Sequence, residues 1–174
     1  MISLCIVVDA SVGRAAGEPV SVHASSSRCR LFLQAMLDGN YKMALNNPIK
    51  IEWDKHQSNY AMTWRAAMAR KGRIQRVSNN QSHDLRHAIQ GFSLDRNIGE
   101  IMLKDAHLLE AAQASDQRVA SLDETVRGHF RRLCKTFEEI GPILWTNPIK
   151  SSDESVDWLT RGAPDERDRR LKPF

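Results

Sequence analysis

Apolar residues run almost unbroken from position 2 to 8, centred on LCIVV, and stop at Asp9. A short continuous run without alternation predicts a strand covered on both faces, as in a parallel sheet. The glycines and proline of 13–22 predict a loop. Beyond it Cys29, Phe32, Leu33 and Met36 share one side of a helix, with serines 25–27 available to cap it and Gly39 to end it. Residues 41–45 read as a second strand, closed by Asn46-Asn47-Pro48, and proline favours the opening turn of a following helix. Ile49, Trp53, Tyr60, Trp64 and Met68 keep the helical period as far as Gly72.

The stretch 104–123, KDAHLLEAAQASDQRVASLD, reads as a short helix, a loop and a strand. Asp105 falls in the first turn of that helix, and Leu108, Leu109 and Ala112 follow it at steps of three, four and seven. The aspartate therefore shares the face that must enter a core. An ionised carboxylate there is costly unless something positive compensates, and a divalent cation does so well. Residues 77–99 are polar and weakly patterned, with one short helix at 85–91. Val126, Phe130, Leu133 and Phe137 mark an amphipathic helix whose outer side carries Arg127, His129, Arg131, Arg132 and Lys135. Gly141-Pro142 then breaks the chain before Ile143-Leu144-Trp145, a last strand.

This alternation predicts an α/β fold, a three-layer sandwich around a central, mostly parallel sheet. The 174 residues suit one full domain, 1–150, followed by a charged tail, 151–174, with Trp158 and Leu159 as its anchor. Such a tail is either disordered or docked on the body or on a second copy.

Composition narrows the picture modestly. Hydrophobic residues at 41% and charged ones at 26% describe an ordinary globular chain and exclude wholesale disorder. The net charge of +4 is compatible with a polyanionic partner but does not require one. Cys5, Cys29 and Cys134 are odd in number and lack metal-ligand spacing, which suits a reducing interior. No apolar run is long enough to span a bilayer, and the opening residues lack the basic region of a secretory signal, so a cytoplasmic protein with no membrane partner is expected.

The candidate chemistry is acidic. In open parallel sheets, sites form beyond the carboxyl ends of strands, where connections diverge. Asp9 and Asp123 follow strands, while Glu52 and Asp105 fall in the first turns of helices that can begin at the same edge. Four converging carboxylates repel one another without cations, and an all-oxygen set suits Mg²⁺ or Mn²⁺. Each acid also has a plainer role: Asp123 as an N-cap, Asp9 as a turn residue, Glu52 and Asp105 as favourable first-turn charges. Asp54 rivals Glu52, since both flank the same apolar stripe at nearly equal angles. Ser11, two residues after Asp9, can orient that aspartate. His56, His107 and His129 read as surface or core residues.

Three segments together resemble the PIN domain, the metal-dependent nuclease fold of VapC-type toxins and several RNA-processing factors. VVDAS resembles the family's opening strand, aspartate and small hydroxyl residue, and Glu52 in IEWDKH resembles its acid early in the helix after the second strand. KDAHLLEAAQASDQRVASLDE resembles its aspartate-bearing, alanine-rich helix and the strand ending in Ser/Thr-x-Asp, here Ser121-Leu122-Asp123; this third segment is the specific one. The resemblance covers residues 1–148 and departs at Asp116, where many members have glycine.

The resemblance implies a metal-dependent endoribonuclease, with Asp9, Asp105 and Asp123 holding one or two Mg²⁺ or Mn²⁺ ions and Glu52 acting directly or through water. It implies Ser11 and Ser121 as supporting residues, and single-stranded or structured RNA as substrate. Arg65, Arg70, Lys71, Arg73, Arg127 and Arg131 would track its backbone. A toxin of this kind implies an antitoxin covering the acidic patch and a homodimer. The rival expectation is a PIN-like module that binds RNA or protein without cutting. A haloacid-dehalogenase-like site fits less well, because Asp9-Ala10-Ser11 lacks the second aspartate of Asp-x-Asp, and an adhesion-type Asp-x-Ser-x-Ser site breaks at Gly13.

Overall fold

A computed structural model of the chain describes residues 3–18, 20–92 and 95–172. Five strands, β1 (Cys5–Val8), β2 (Lys42–Leu45), β3 (Ile74–Arg76), β4 (Arg118–Ala120) and β5 (Leu144–Thr146), form one all-parallel sheet in the order β3-β2-β1-β4-β5. Eight α-helices are seen among the described residues: α1 (Ala10–Ala15), α2 (Ala24–Asp38), α3 (Asn47–His56), α4 (Asn59–Arg70), α5 (His83–Phe92), α6 (Arg96–Gln113), α7 (Glu124–Leu133) and α8 (Ser155–Thr160). β1 is central and buried along its whole length, which explains its unbroken apolar sequence. Ile2, expected in this strand, lies outside the described residues.

From β1 the chain steps outward to β2 and β3, then returns to lay β4 against the other side of β1 and β5 beyond it. Helices α1–α4 and α8 pack among themselves, and α5–α7 form the second group, so the fold is the expected three-layer sandwich. Connections leave β1 and β4 toward opposite layers. The crevice at their carboxyl ends is therefore a topological switch point.

Several local readings change. The stretch 47–72 is two helices, because Ser58 accepts the Ala61 N–H at 3.3 Å as an N-cap and restarts the spiral. Gly13 lies inside α1, not in a loop. A Cβ there would stand 2.9 Å from the Trp53 ring, so glycine lets α1 and α3 touch. Helix α2 begins after His23 with no side-chain cap, leaving serines 25–27 within its first turns. β3 has a single apolar residue, Ile74, and as an edge strand it carries no alternation to detect.

Residues 151–172 are not a free tail. Trp158, Leu159, Ala163 and Leu171 enter the core, and Leu171 N–H donates to Ile143 C=O at 2.9 Å beside a Leu144–Arg170 bridge. Arg169 stacks over Trp158 with its guanidinium carbon 4.9 Å from the ring centroid and donates to Thr146 Oγ1 at 3.0 Å. The expected boundary at 150 thus falls within a continuous core. Residues 173 and 174 lie outside the described set.

Candidate active site

The carboxyl-end cleft, about 180 Å³, is lined by Asp9, Ser11, Glu52, Asp105 and Asp123 together with Arg14, His56, Lys104 and His107. All four acids expected from sequence line it, though two stand elsewhere on their helices than expected. Asp95, accepting from Asn97 N–H at 2.9 Å, caps an α6 that starts eight residues upstream of Lys104, so Asp105 lies in mid-helix. Glu52 lies past the first turn of α3. Neither carboxylate can therefore be explained as a first-turn helix charge.

Asp9 follows β1, and its N–H donates to Ala120 C=O at 2.9 Å, closing the seam between β1 and β4. Its side chain caps nothing. Instead Ser11 Oγ and Ser121 Oγ both donate to Asp9 Oδ2, at 2.5 and 2.8 Å. Each hydroxyl also accepts a backbone N–H from the loop after β4, Ser11 from Leu122 and Ser121 from Asp123, both at 3.2 Å. This cross-bracing leaves Asp9 Oδ1 without a hydrogen bond among the described residues. Asp123 has both roles read from its sequence position. Its Oδ1 accepts Val126 N–H at 2.8 Å as the N-cap of α7, and the residue still lines the cleft.

Trp53 and Asn46 anchor the helix that brings Glu52 to the cleft. Trp53 Nε1 donates to Val8 C=O at 2.7 Å, pinning α3 over the end of β1. Asn46 caps α3 through Ile49 N–H at 3.0 Å and donates to His107 C=O at 3.3 Å, tying α3 to α6. Glu52 lies 3.5 Å from His56 Nε2. Its rival Asp54 turns to the surface, bonded to Lys50 at 2.5 Å and Arg65 at 2.6 Å, so Glu52 is the acid of this pair that reaches the cleft.

Asp105 forms no ion pair and accepts no hydrogen bond among the described residues. Burial first, then the charges of Asp9 and Asp123, push its carboxyl up to about 7, with Lys104 opposing and Glu52 adding a little. His107, buried with Nδ1 2.8 Å from Lys104 C=O, has its pKa lowered by desolvation and is a neutral wall of the cleft. Among the described residues no three His, Cys, Asp or Glu side chains stand close enough to enclose an ion. The donor chemistry nonetheless fits a hard divalent cation: four carboxylates, one of them poorly solvated and unpaired, share an open cleft. A closed cage is not required, since an ion that keeps several waters needs few protein ligands.

The expected nucleic-acid contacts divide. Arg70 and Lys71 are exposed at the end of α4. Arg65 is tied to Asp54 and lies 6.0 Å from the Trp53 ring centroid, while Arg73 donates to Leu37 C=O at 2.5 Å. Arg127 is not on the outer side of its helix; it is buried, 3.3 Å from Glu124 and 3.5 Å from Asp153. Arg131 donates to Asp168 C=O at 2.7 Å. Those two arginines fasten the C-terminal segment. Sequence reasoning missed Arg14 and Lys104, exposed cations at the cleft whose side chains make no hydrogen bond or ion pair among the described residues. Their signal was adjacency to the acids, Lys104 directly before Asp105 and Arg14 one turn after Ser11.

Asp116, where the sequence departs from the resemblance, accepts Cys5 N–H at 2.7 Å and secures the start of β1. The three cysteines are buried free thiols, those of Cys5 and Cys29 pushed up to about 12 by burial.

Fold and cleft together define a parallel α/β protein with an acidic site at its switch point. Comparison of the chain with protein-family models, with curated proteins and with solved structures returned no match. No helix among the described residues is long and apolar enough to cross a membrane.

Proposed function

We propose that the chain is a PIN-like, metal-dependent endoribonuclease that hydrolyses phosphodiester bonds of RNA in the cleft of Asp9, Glu52, Asp105 and Asp123. One observation carries this reading: four acids from separate segments line one switch-point cleft, and Asp9, Asp105 and Asp123 have no ion-pair partner among the described residues. Uncompensated carboxylates at such density are costly unless a cation joins them. Asp9, Asp105 and Asp123 would hold Mg²⁺ or Mn²⁺, with Glu52 beside them. Such an ion supplies water of lowered pKa and neutralises charge on phosphate oxygens.

The chain's own groups do the rest. Ser11 and Ser121 fix the rotamer of Asp9, and the capping bond of Asp123 fixes the second strand-end acid. Arg14 and Lys104 offer cations to phosphates entering the mouth, a role in which Arg127 and Arg131 do not serve. A toxin role, a small antitoxin over the acidic patch, a homodimer and a cytoplasmic setting belong to the same proposal. The open spacing of the acids favours a second reading, a PIN-like module that binds RNA or protein without cutting.

Cleavage of labelled RNA and single-stranded DNA oligonucleotides with Mg²⁺, Mn²⁺ or EDTA, comparing wild type with Asp105→Asn, separates the two. Metal-dependent cutting of RNA, lost in the variant, is the expected result. Undiminished cutting by the variant overturns the assignment, and binding without cutting supports the module.

A further inference from the structure

A second concavity, about 500 Å³, lies between α4 and the sheet edge at β3 and shares no lining residue with the acidic cleft. Its floor is apolar, from Leu45, Met62 and Ile74, and Met62 is 52% exposed. Its rim carries Lys50, Arg65 and Arg76. Neither an acid nor an aromatic residue lines it. Asp54 is shared by Lys50 and Arg65, and Arg76 has no side-chain partner among the described residues, so the rim keeps a net positive charge.

The strand beside it is open. Met43 N–H donates to Arg73 C=O at 2.9 Å and Val77 N–H to Leu45 C=O at 3.2 Å, so odd-numbered residues of this strand serve the ladder to β2. Ile74 and Arg76 therefore turn their backbone groups outward, where no further strand lies among the described residues, and Arg76 C=O meets only the Gln75 side-chain amide, at a marginal 3.5 Å. An edge with free donors and acceptors templates pairing, and strand addition joins such hydrogen bonds to pockets for alternate side chains.

We infer that this edge docks an extended segment of a partner protein, adding a strand beside β3, with apolar side chains in the groove and flanking Asp or Glu on the basic rim. Charge complementarity selects the occupant. A nucleic acid would find cations but no ring on which to stack a base. A second copy would bring like-charged rims together.

The test titrates the ¹⁵N-labelled full chain with the peptide Glu-Ser-Val-Ser-Leu-Ser-Glu, its counterpart with lysine at both ends, and an oligouridylate, following amide shifts. Saturable shifts centred on Ile74 and Arg76 are expected with the acidic peptide, with affinity about tenfold weaker for the basic one. Met62→Glu and Arg76→Glu, both at exposed positions, should each weaken acidic-peptide binding by a similar factor while the folded spectrum and oligonucleotide cleavage stay unchanged. No saturable shift at millimolar acidic peptide overturns the inference. So do equal binding of the basic peptide, tighter binding of the oligouridylate at the same residues, and self-association through this edge.

Discussion

Ser121 Oγ donates to Asp9 Oδ2 at 2.8 Å and accepts Asp123 N–H at 3.2 Å, so one fully buried hydroxyl couples the acids that end β1 and β4. The seam and the site are therefore one object. Ser121→Ala leaves Asp123 N–H and one Asp9 bond unmet, a cost of about 1–3 kcal/mol. Urea unfolding measures that cost. Cleavage is expected to fall further than the unfolded fraction explains, since Asp9 loses a brace on its rotamer.

The Asp105 carboxyl gives the metal-free protein an inverted pH dependence. Its folded pKa, about 7, lies above the unfolded value near 4, so between these limits the native state binds the extra proton. Stability of the apo protein then falls as pH rises through that window, by roughly 2 kcal/mol after allowance for screening. Thermal melts from pH 4.5 to 8 in EDTA read this slope. Asp105→Asn should flatten it, and Mn²⁺ should raise the melting temperature of wild type at pH 8 far more than that of the variant.

Two substitutions at Asp123 separate its roles. Asp123→Asn keeps an oxygen for Val126 N–H and removes the charge, so stability should hold while metal-dependent cleavage is lost. Asp123→Ala loses the cap as well, costing about 1 kcal/mol. Equal stability of the two variants in chemical denaturation would show that the cap contributes nothing.

The cations also divide by function. Arg14→Ala and Lys104→Ala should weaken oligonucleotide binding with unchanged melting temperature, because both side chains are exposed at the cleft. Arg127→Ala should act on stability instead, costing about 3 kcal/mol by leaving the largely buried Asp153 without its cation, while Glu124 keeps Lys150 at 3.4 Å. Deleting residues 151–174 should be worse still, since it removes Trp158 and Leu171 from the core. Fluorescence anisotropy with labelled RNA and urea melts on the same variants distinguish the two groups.

The sequence by itself determined the class of fold and pointed to Asp9, Asp105 and Asp123, with Glu52 and Asp54 as alternatives for the fourth acid. The strand at Cys5–Val8 was legible because a doubly covered strand tolerates few polar residues, and Asp105 because a charge on an apolar helical face conflicts with its neighbours. Tertiary structure decided what periodicity cannot encode. Only the Trp53 and Asn46 anchors, which span α3, β1 and α6, turn Glu52 into the cleft while Asp54 meets Lys50 and Arg65 outside. Arg127 and Arg70 both read as surface cations, and burial against residues 26 positions downstream separates them. The short edge strand β3 was hidden for a related reason, since its partner on one side is β2 and on the other solvent. For the charged C-terminal stretch, sequence left both disorder and docking open, because a count of charges does not reveal which guanidinium lies over which indole.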